Sequence, residues 1–305
     1  MELTLGLVGL GTIARAQHLP AIAAVPGLRL AAIASRNATL EGVDSHPDIH
    51  ALMAARPDIG AISLCTPPQG RFEQAMAAIA AGRHLMLEKP PAATLSELAA
   101  MQAAAQARGV SLFATWHSRH AAAIPAARDW LAGRRLTAIR IDWREDVRKW
   151  HPGQQWIWQA GGLGVFDPGI NALSILTALI PDVVLTGADL HIPENRATPI
   201  AADLDMVAGG VPIRARFDWR ETGDEVWQIA FDTPDGTAIL SGGGARFDAP
   251  NRTSYSEENI EYTSIYMRFQ ELAEAGASEV DPAPLRLVAD AFMTGRHHAA
   301  DPFHD

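Results

Sequence analysis

Cysteine is almost missing from this chain. Cys65 is the single one in 305 residues, so no intrachain disulfide can form. It sits in the apolar run 61–65 and reads as a small core residue. Basic residues are also scarce: 25 Lys and Arg against 35 Asp and Glu leave a formal net charge of -10. With no basic stripe, nucleic acid is not expected as a partner, and an anionic membrane surface is disfavoured. No uninterrupted apolar run approaches the ~18 residues of a membrane-spanning helix. The first residues show no basic n-region and no cleavage site, and Gly9, Gly11 and Arg15 interrupt the early apolar segment. A cytoplasmic location is therefore the expectation. The 11 histidines lack ligand spacing, so no metal site is expected, and His297-His298 reads as a solvated tail. Repeats, coiled coils and low-complexity linkers are absent as well.

What is present is apolar content, 48% of the chain, enough for a sizeable core and better suited to two domains than one. The first third alternates short apolar runs with alanine-rich ones. Strands are expected over 3–8, 28–34, 61–65, 84–87 and 110–115, with helices over 12–24, 70–81 and 96–108. Gly82 and Gly109 stand where helix C-caps belong. Strand–helix alternation with short connections predicts parallel βαβ units, and near-continuous apolar strands predict a sheet covered on both faces. After about residue 118 the pattern changes. A strand is expected over 136–143, then a loop rich in Trp, Gly and Pro, then a helix over 168–180. Strands over 183–191, 213–219, 226–232 and 237–240 predict an antiparallel sheet, followed by helices over 262–275 and 284–294. The domain boundaries that follow are 1–118 for dinucleotide binding and 119–305 for substrate binding, with a C-terminal helix able to pack back on the first domain.

Gly9-Leu10-Gly11-Thr12-Ile13-Ala14 follows the first strand and opens the first helix. In that context GxGxxA is a dinucleotide fingerprint. Gly9 makes the tight turn, Gly11 lets backbone approach a pyrophosphate, and Ala14 permits close helix–strand packing. Exposed N–H groups around Thr12 and Ile13 would receive the pyrophosphate. At the end of the second strand, where an NAD-selective site carries a carboxylate, the chain reads Ala34-Ser35-Arg36-Asn37. Ser35 and Arg36 can bond a 2′-phosphate, so NADP is the preferred cofactor, with NAD also usable.

The fingerprint, Cys65-Thr66-Pro67-Pro68, Glu88-Lys89-Pro90 and Asp167-Pro168-Gly169-Ile170-Asn171 occur in order. Together they resemble the Gfo/Idh/MocA oxidoreductase family, over essentially the whole chain. The resemblance implies an α/β fold: an N-terminal Rossmann doubly wound parallel sheet plus a C-terminal α/β domain with a large open, mostly antiparallel sheet. It places Thr66, Pro67, Glu88 and Lys89 at the cofactor and makes Lys89 the family lysine. The segments 116–119, 142–158, 161–175 and 284–290 are similar to the D-galactose 1-dehydrogenase / L-arabinose 1-dehydrogenase subgroup, whose products are sugar lactones. Two positions depart from the broad family, where many members carry histidine: Asn171 and Arg71.

Asn cannot accept a proton at neutral pH, so Asp167 is the expected base, near the N-cap of its helix with Asn171 one turn on. Lys89 is expected to bond the reacting oxygen and stabilise its developing charge. Asn171 would orient the sugar or hold Lys89. The tryptophan-rich loop suits a pyranose, because indole faces pack on C–H patches. Trp150, Trp227, His117 and Glu145 are the expected sugar contacts, together with Asp167 and Asn171; His151 is a further hydroxyl partner. The resulting activity is NAD(P)-dependent oxidation of an aldopyranose at C1, with D-galactose, L-arabinose and D-fucose as the substrate type. A small-molecule sugar is thus the partner, and a homodimer through the C-terminal sheet is expected from the family. Two other readings stay open: a dehydrogenase of another polyol, and a non-catalytic NADP-binding sensor.

Overall fold

A computed structural model describes residues 2–251, 254–257 and 260–304. The chain divides into two compact units. One comprises Met1–His117 and Glu261–Pro282, the other Ser118–Ile260 and Ala283–Asp305.

In the first unit six strands form one parallel sheet: β1 Leu3–Val8, β2 Leu28–Ala34, β3 Asp44–His46, β4 Ala61–Leu64, β5 His84–Leu87 and β6 Leu112–Ala114. Their order is β3-β2-β1-β4-β5-β6, a doubly wound arrangement whose direction reverses at β1/β4. The central strands are apolar on both faces, and every residue of β4 is buried. Leu5, Leu7, Ile33, Met86 and Phe113 form the core, and the helix Glu261–Ala275 adds Ile265, Tyr266, Phe269 and Leu272 to it. Burial of that apolar stripe, at roughly 1.5–3 kcal/mol for each large side chain, explains why this helix belongs to the first unit. The short strand β3 was not foreseen, since Asp-Ser-His has little strand propensity.

Among the described residues of the second unit nine strands form one sheet: β7 Ala138–Arg144, β8 Val184–Pro193, β9 Ala201–Ala208, β10 Val211–Asp218, β11 Val226–Thr233, β12 Gly236–Ser241, β13 Arg246–Asp248, β14 Tyr255–Ser256 and β15 Arg296–Ala300. The order is β14-β13-β12-β11-β7-β10-β9-β8-β15. The sheet is mostly antiparallel, but β10 runs parallel to β7 and β15 parallel to β8. Side chains alternate as the pleat requires: along β10, Ile213, Ala215 and Phe217 point inward and Arg214 and Arg216 outward. The His297-His298 segment is solvated as expected, but it is an edge strand and not a tail. Its backbone pairs with β8, and Asp189 on β8 holds both Arg296 (2.6 Å) and His298 (2.6 Å).

The helix Phe166–Leu179 packs in this unit, with the Phe166 ring 5.9 Å from that of Phe217. Gly169 permits the close approach, because a Cβ there would lie 3.0 Å from the Phe217 ring. The helix begins two residues earlier than Pro168 predicts. Its N-cap is Val165, so Asp167 is not the cap but lies inside the first turn. No helix of the described residues is long and apolar enough to cross a membrane.

Candidate active site

In the first unit the fingerprint loop leaves β1 with Gly9 at φ +94°. A Cβ at Gly9 would sit 2.9 Å from the Cys65 carbonyl carbon and the Thr66 nitrogen, so only glycine lets this turn lie against the loop after β4. Gly11 has nothing within 4 Å of its would-be Cβ. Leu10, Gly11, Thr12, Arg15 and Ala16 line an open depression there, where an anionic group has access to backbone N–H. Ile13 is exposed and Ala14 buried, as close packing of helix on sheet demands. At the end of β2, Ser35 is half-buried and Arg36 exposed, and Arg36 makes no ion pair among the described residues. A guanidinium so placed fits a dinucleotide carrying a 2′-phosphate.

Lys89 follows β5, at the carboxyl edge of the parallel sheet. Its peptide bond to Pro90 is cis. Its backbone N–H donates to Glu88 Oε2 at 2.6 Å. The Glu88 side chain is buried: Oε1 meets His18 Nε2 at 3.1 Å and accepts from the Tyr262 hydroxyl at 2.9 Å. Burial alone would push the Glu88 carboxyl up. The hydrogen bond and charge of His18, with His117 and Lys89 behind them, outweigh that and bring it down to about 2. Arg71, the residue departing from the family's histidine, is also buried. It donates to the backbone carbonyls of Thr66, Glu88 and Pro90, and so ties the loop after β4 to the loop after β5. Thr66 itself bonds Gln74 through its hydroxyl at 2.8 Å, and Pro67 is exposed beside it. His117 pairs with Glu261 at 2.5 Å and stacks on Tyr262 with centroids 5.3 Å apart.

In the second unit Asp167 is 3% exposed, in the first turn of its helix, where the helix dipole favours a negative charge. Its Oδ2 lies 3.3 Å from His151 Nε2. The His151 ring packs on Trp219, with centroids 5.2 Å apart. Asn171 lies one turn further along and is half-buried. Glu145, at the end of β7, is buried, and each of its oxygens already accepts an indole N–H: Oε1 from Trp219 at 3.2 Å, Oε2 from Trp227 at 2.9 Å. Trp227 lies 5.7 Å from Trp150 and 6.3 Å from Trp143. Trp150 is 44% exposed and bonds Glu225 through its Nε1 at 2.6 Å.

The second unit thus joins Glu145, Trp150 and Trp227 directly, and links them through Trp219 and His151 to Asp167. Trp143, on β7, and Trp158, in the loop, are core. Sequence reasoning missed Trp219, which directly follows β10 and looks like any core aromatic. It also missed His18, Tyr262 and Tyr266, whose spacing in the chain carries no motif. Among the described residues no group of three or more His, Cys, Asp and Glu could hold a metal ion.

Comparison with known proteins adds to this picture. Residues 3–115 match the family described as "Oxidoreductase family, NAD-binding Rossmann fold". The chain is 45% identical over 303 residues to galactose 1-dehydrogenase from Pseudomonas fluorescens, covering 99% of this chain and 98% of that one. It is similar to the crystal structure of the D-galactose-1-dehydrogenase protein from Rhizobium etli, with TM-score 0.95, 52% identity, and 100% and 99% of the two chains covered. A 3-ketoreductase from Actinomadura kijaniata, crystallised with NADP and TDP-benzene, shares the fold alone: TM-score 0.85, 18% identity, 98% and 100% covered.

Proposed function

The chain belongs to the Gfo/Idh/MocA oxidoreductase family, and on that premise we propose that it oxidises an aldopyranose at C1 with NADP or NAD, forming the lactone. The observation that carries the reading is the pairing of buried Asp167 with His151, in the same unit as an indole surface made by exposed Trp150 and half-buried Trp227. The full-length likeness to galactose 1-dehydrogenases supports D-galactose, L-arabinose and D-fucose as the substrate type.

Residues of the first unit suit a dinucleotide: Gly9, Gly11, Thr12 and Ile13 for the pyrophosphate, Ser35 and Arg36 for a 2′-phosphate, Thr66 and Pro67 beside them. The coenzyme, when bound, supplies the hydride acceptor. The remaining work falls to the chain. Asp167 accepts the proton of the anomeric hydroxyl, and its carboxylate is suited to this because Asn171 does not titrate. The Lys89 ammonium donates to O1 and offsets the charge that develops there. Asn171 orients the sugar. Trp150 and Trp227 pack on its C–H face, while Glu145 aims the Trp227 indole. The ring oxygen stays on C1, so the product closes as a lactone.

The test is turnover with each coenzyme across D-galactose, L-arabinose, D-fucose and a non-sugar polyol, followed by the near-ultraviolet absorbance of the reduced coenzyme. Asp167→Asn and Lys89→Ala are each expected to lose about 10²–10⁴-fold in turnover. Turnover of the polyol alone, or none with any sugar, refutes the reading. The proposal includes a cytoplasmic location and a homodimer through the outer face of the nine-stranded sheet. That face carries charges of both signs in cross-strand pairs, such as Arg140–Asp232 and Arg214–Asp205, as a self-complementary surface requires. Sedimentation at several protein concentrations tests the dimer.

A further inference from the structure

His18 is fully buried, 0% exposed, at the end of a π-turn, Ala14–His18, where the Leu19 N–H reaches back to the Ala14 carbonyl. Such a turn inserts one residue and rotates the side chains after it, and π-turns recur at functional positions. Both ring nitrogens are used. Nδ1 lies 2.8 Å from the Tyr266 hydroxyl, which donates onward to Ser63 Oγ at 3.2 Å. A hydroxyl has one proton, and Tyr266 spends it on Ser63, so its oxygen accepts a hydrogen bond from Nδ1. Nε2 faces the Glu88 carboxylate, which has no proton to give, so Nε2 donates as well. Donation from both nitrogens is the pattern that an imidazolium makes. Burial works against that charge, but neighbouring Cys65, Tyr266 and Glu88 hold its pKa well above the ordinary value.

Glu88 therefore has an opposite charge and a tyrosine hydroxyl on Oε1 and the Lys89 amide on Oε2. Three donors leave the carboxylate one position. Arg71 binds the carbonyls on either side of Lys89, so the backbone of the Lys89 turn is held at the Glu88 and Pro90 carbonyls and at the Lys89 N–H. A lysine ammonium stands at the end of a long side chain, so a small rotation of this backbone displaces it by about an ångström, an error worth on the order of 10²-fold in rate.

We propose that His18 is a positioning residue for Lys89: it fixes the Glu88 carboxylate, which fixes the Lys89 amide, while His18 itself touches neither sugar nor coenzyme. The proposal rests on the reading of Lys89 given above. His18→Leu is expected to lower kcat about 10–100-fold. The sugar KM and the coenzyme Kd should stay within about twofold, since no binding group is altered. His18→Gln, whose amide can still donate to Glu88, is expected to recover most of the loss. In a Lys89→Ala background, His18→Leu is expected to add almost nothing, because the group it positions is gone.

Unchanged kcat per folded molecule in His18→Leu overturns the proposal. So does an equal loss in the Lys89→Ala background, or a loss confined to coenzyme affinity. Should His18→Leu not fold, Tyr262→Phe removes a single donor from the same carboxylate and is expected to lower kcat about threefold to tenfold; no change there is equally fatal. Full turnover by Lys89→Ala alone refutes the role of Lys89, a result distinct from any of these.

Discussion

Replacing Glu145 by leucine tests the arrangement of the second unit most sharply. The carboxylate accepts the indole N–H of Trp219, which is 0% exposed, and of half-buried Trp227. Loss of the acceptor leaves the Trp219 N–H buried and unmet, at a cost of about 1–3 kcal/mol. The Trp227 bond to a charged group contributes about 1.5–3 kcal/mol more. Release of the carboxylate from its own burial offsets part of this. The net destabilisation is about 3 kcal/mol, and for a unit of this size the Tm falls by about 6–12 °C. Glu145→Gln keeps one acceptor oxygen but turns an amide donor toward the other indole, so it should fall roughly midway. Thermal unfolding by tryptophan fluorescence measures both. The same variants free the Trp227 ring to tilt away from Trp150, so the sugar KM is expected to rise. The coenzyme Kd should not change, because the fingerprint loop belongs to the first unit. A Tm for Glu145→Leu within about 2 °C of the parent would refute the two-indole arrangement.

Other outcomes follow from the same structure. Arg36→Ala is expected to weaken NADP about 10–100-fold and leave NAD nearly unchanged, since only the 2′-phosphate loses a charge-assisted partner; an unchanged ratio of the two affinities removes that assignment. Gly9→Ala is expected to abolish coenzyme binding or fold stability, because its φ is +94° and the new Cβ meets the backbone of residues 65 and 66 at 2.9 Å; isothermal titration and unfolding curves separate the two losses. Glu88, lowered from 4.5 to about 2, contributes stability that is present above pH 4.5 and lost as pH falls toward 2. The amount is about 3 kcal/mol, so unfolding free energies of Glu88→Gln should depend less steeply on pH in that window than those of the parent. His18, raised well above 6.5, acts in the opposite sense: its contribution is complete below pH 6.5 and disappears as pH rises through its folded value. Urea titrations across pH check both directions.

Much of the first unit was legible in the order of residues, for a physical reason. A fully covered parallel sheet needs continuous apolar runs, a crossover helix needs its punctuation by glycine, and a pyrophosphate turn needs Gly9 and Gly11 at fixed spacing. The expected strands and helices fell where those runs stand, within a few residues, while the strand Asp44–His46 and the helix Ile49–Ala55 were not among them. Weakly patterned pieces escaped. The strand Ala201–Ala208 is rich in alanine and aspartate and gains its pairing from neighbours on both sides. The Arg296–Ala300 strand is polar and became visible only when Asp189 met Arg296 and His298 across the edge. The Glu261–Ala275 helix was expected, but its place in the first core depends on partners far earlier in the chain, such as Ser111, 161 residues before Leu272, and His18, 248 residues before Tyr266.

Local chemistry in the chain thus determined the nucleotide loop, the lysine after the fifth strand, the Asp-Pro-Gly-Ile-Asn helix start and the tryptophan-rich loop, because each motif is a short stretch with its own conformational demand. Only the tertiary structure decided what each polar group faces. His18 meets Tyr266 from 248 residues away, Glu145 turns inward to two indoles, and Asp167 lies inside its helix against His151. A buried polar atom must find its partner wherever packing places one, and that choice is made by the fold rather than by neighbours in sequence.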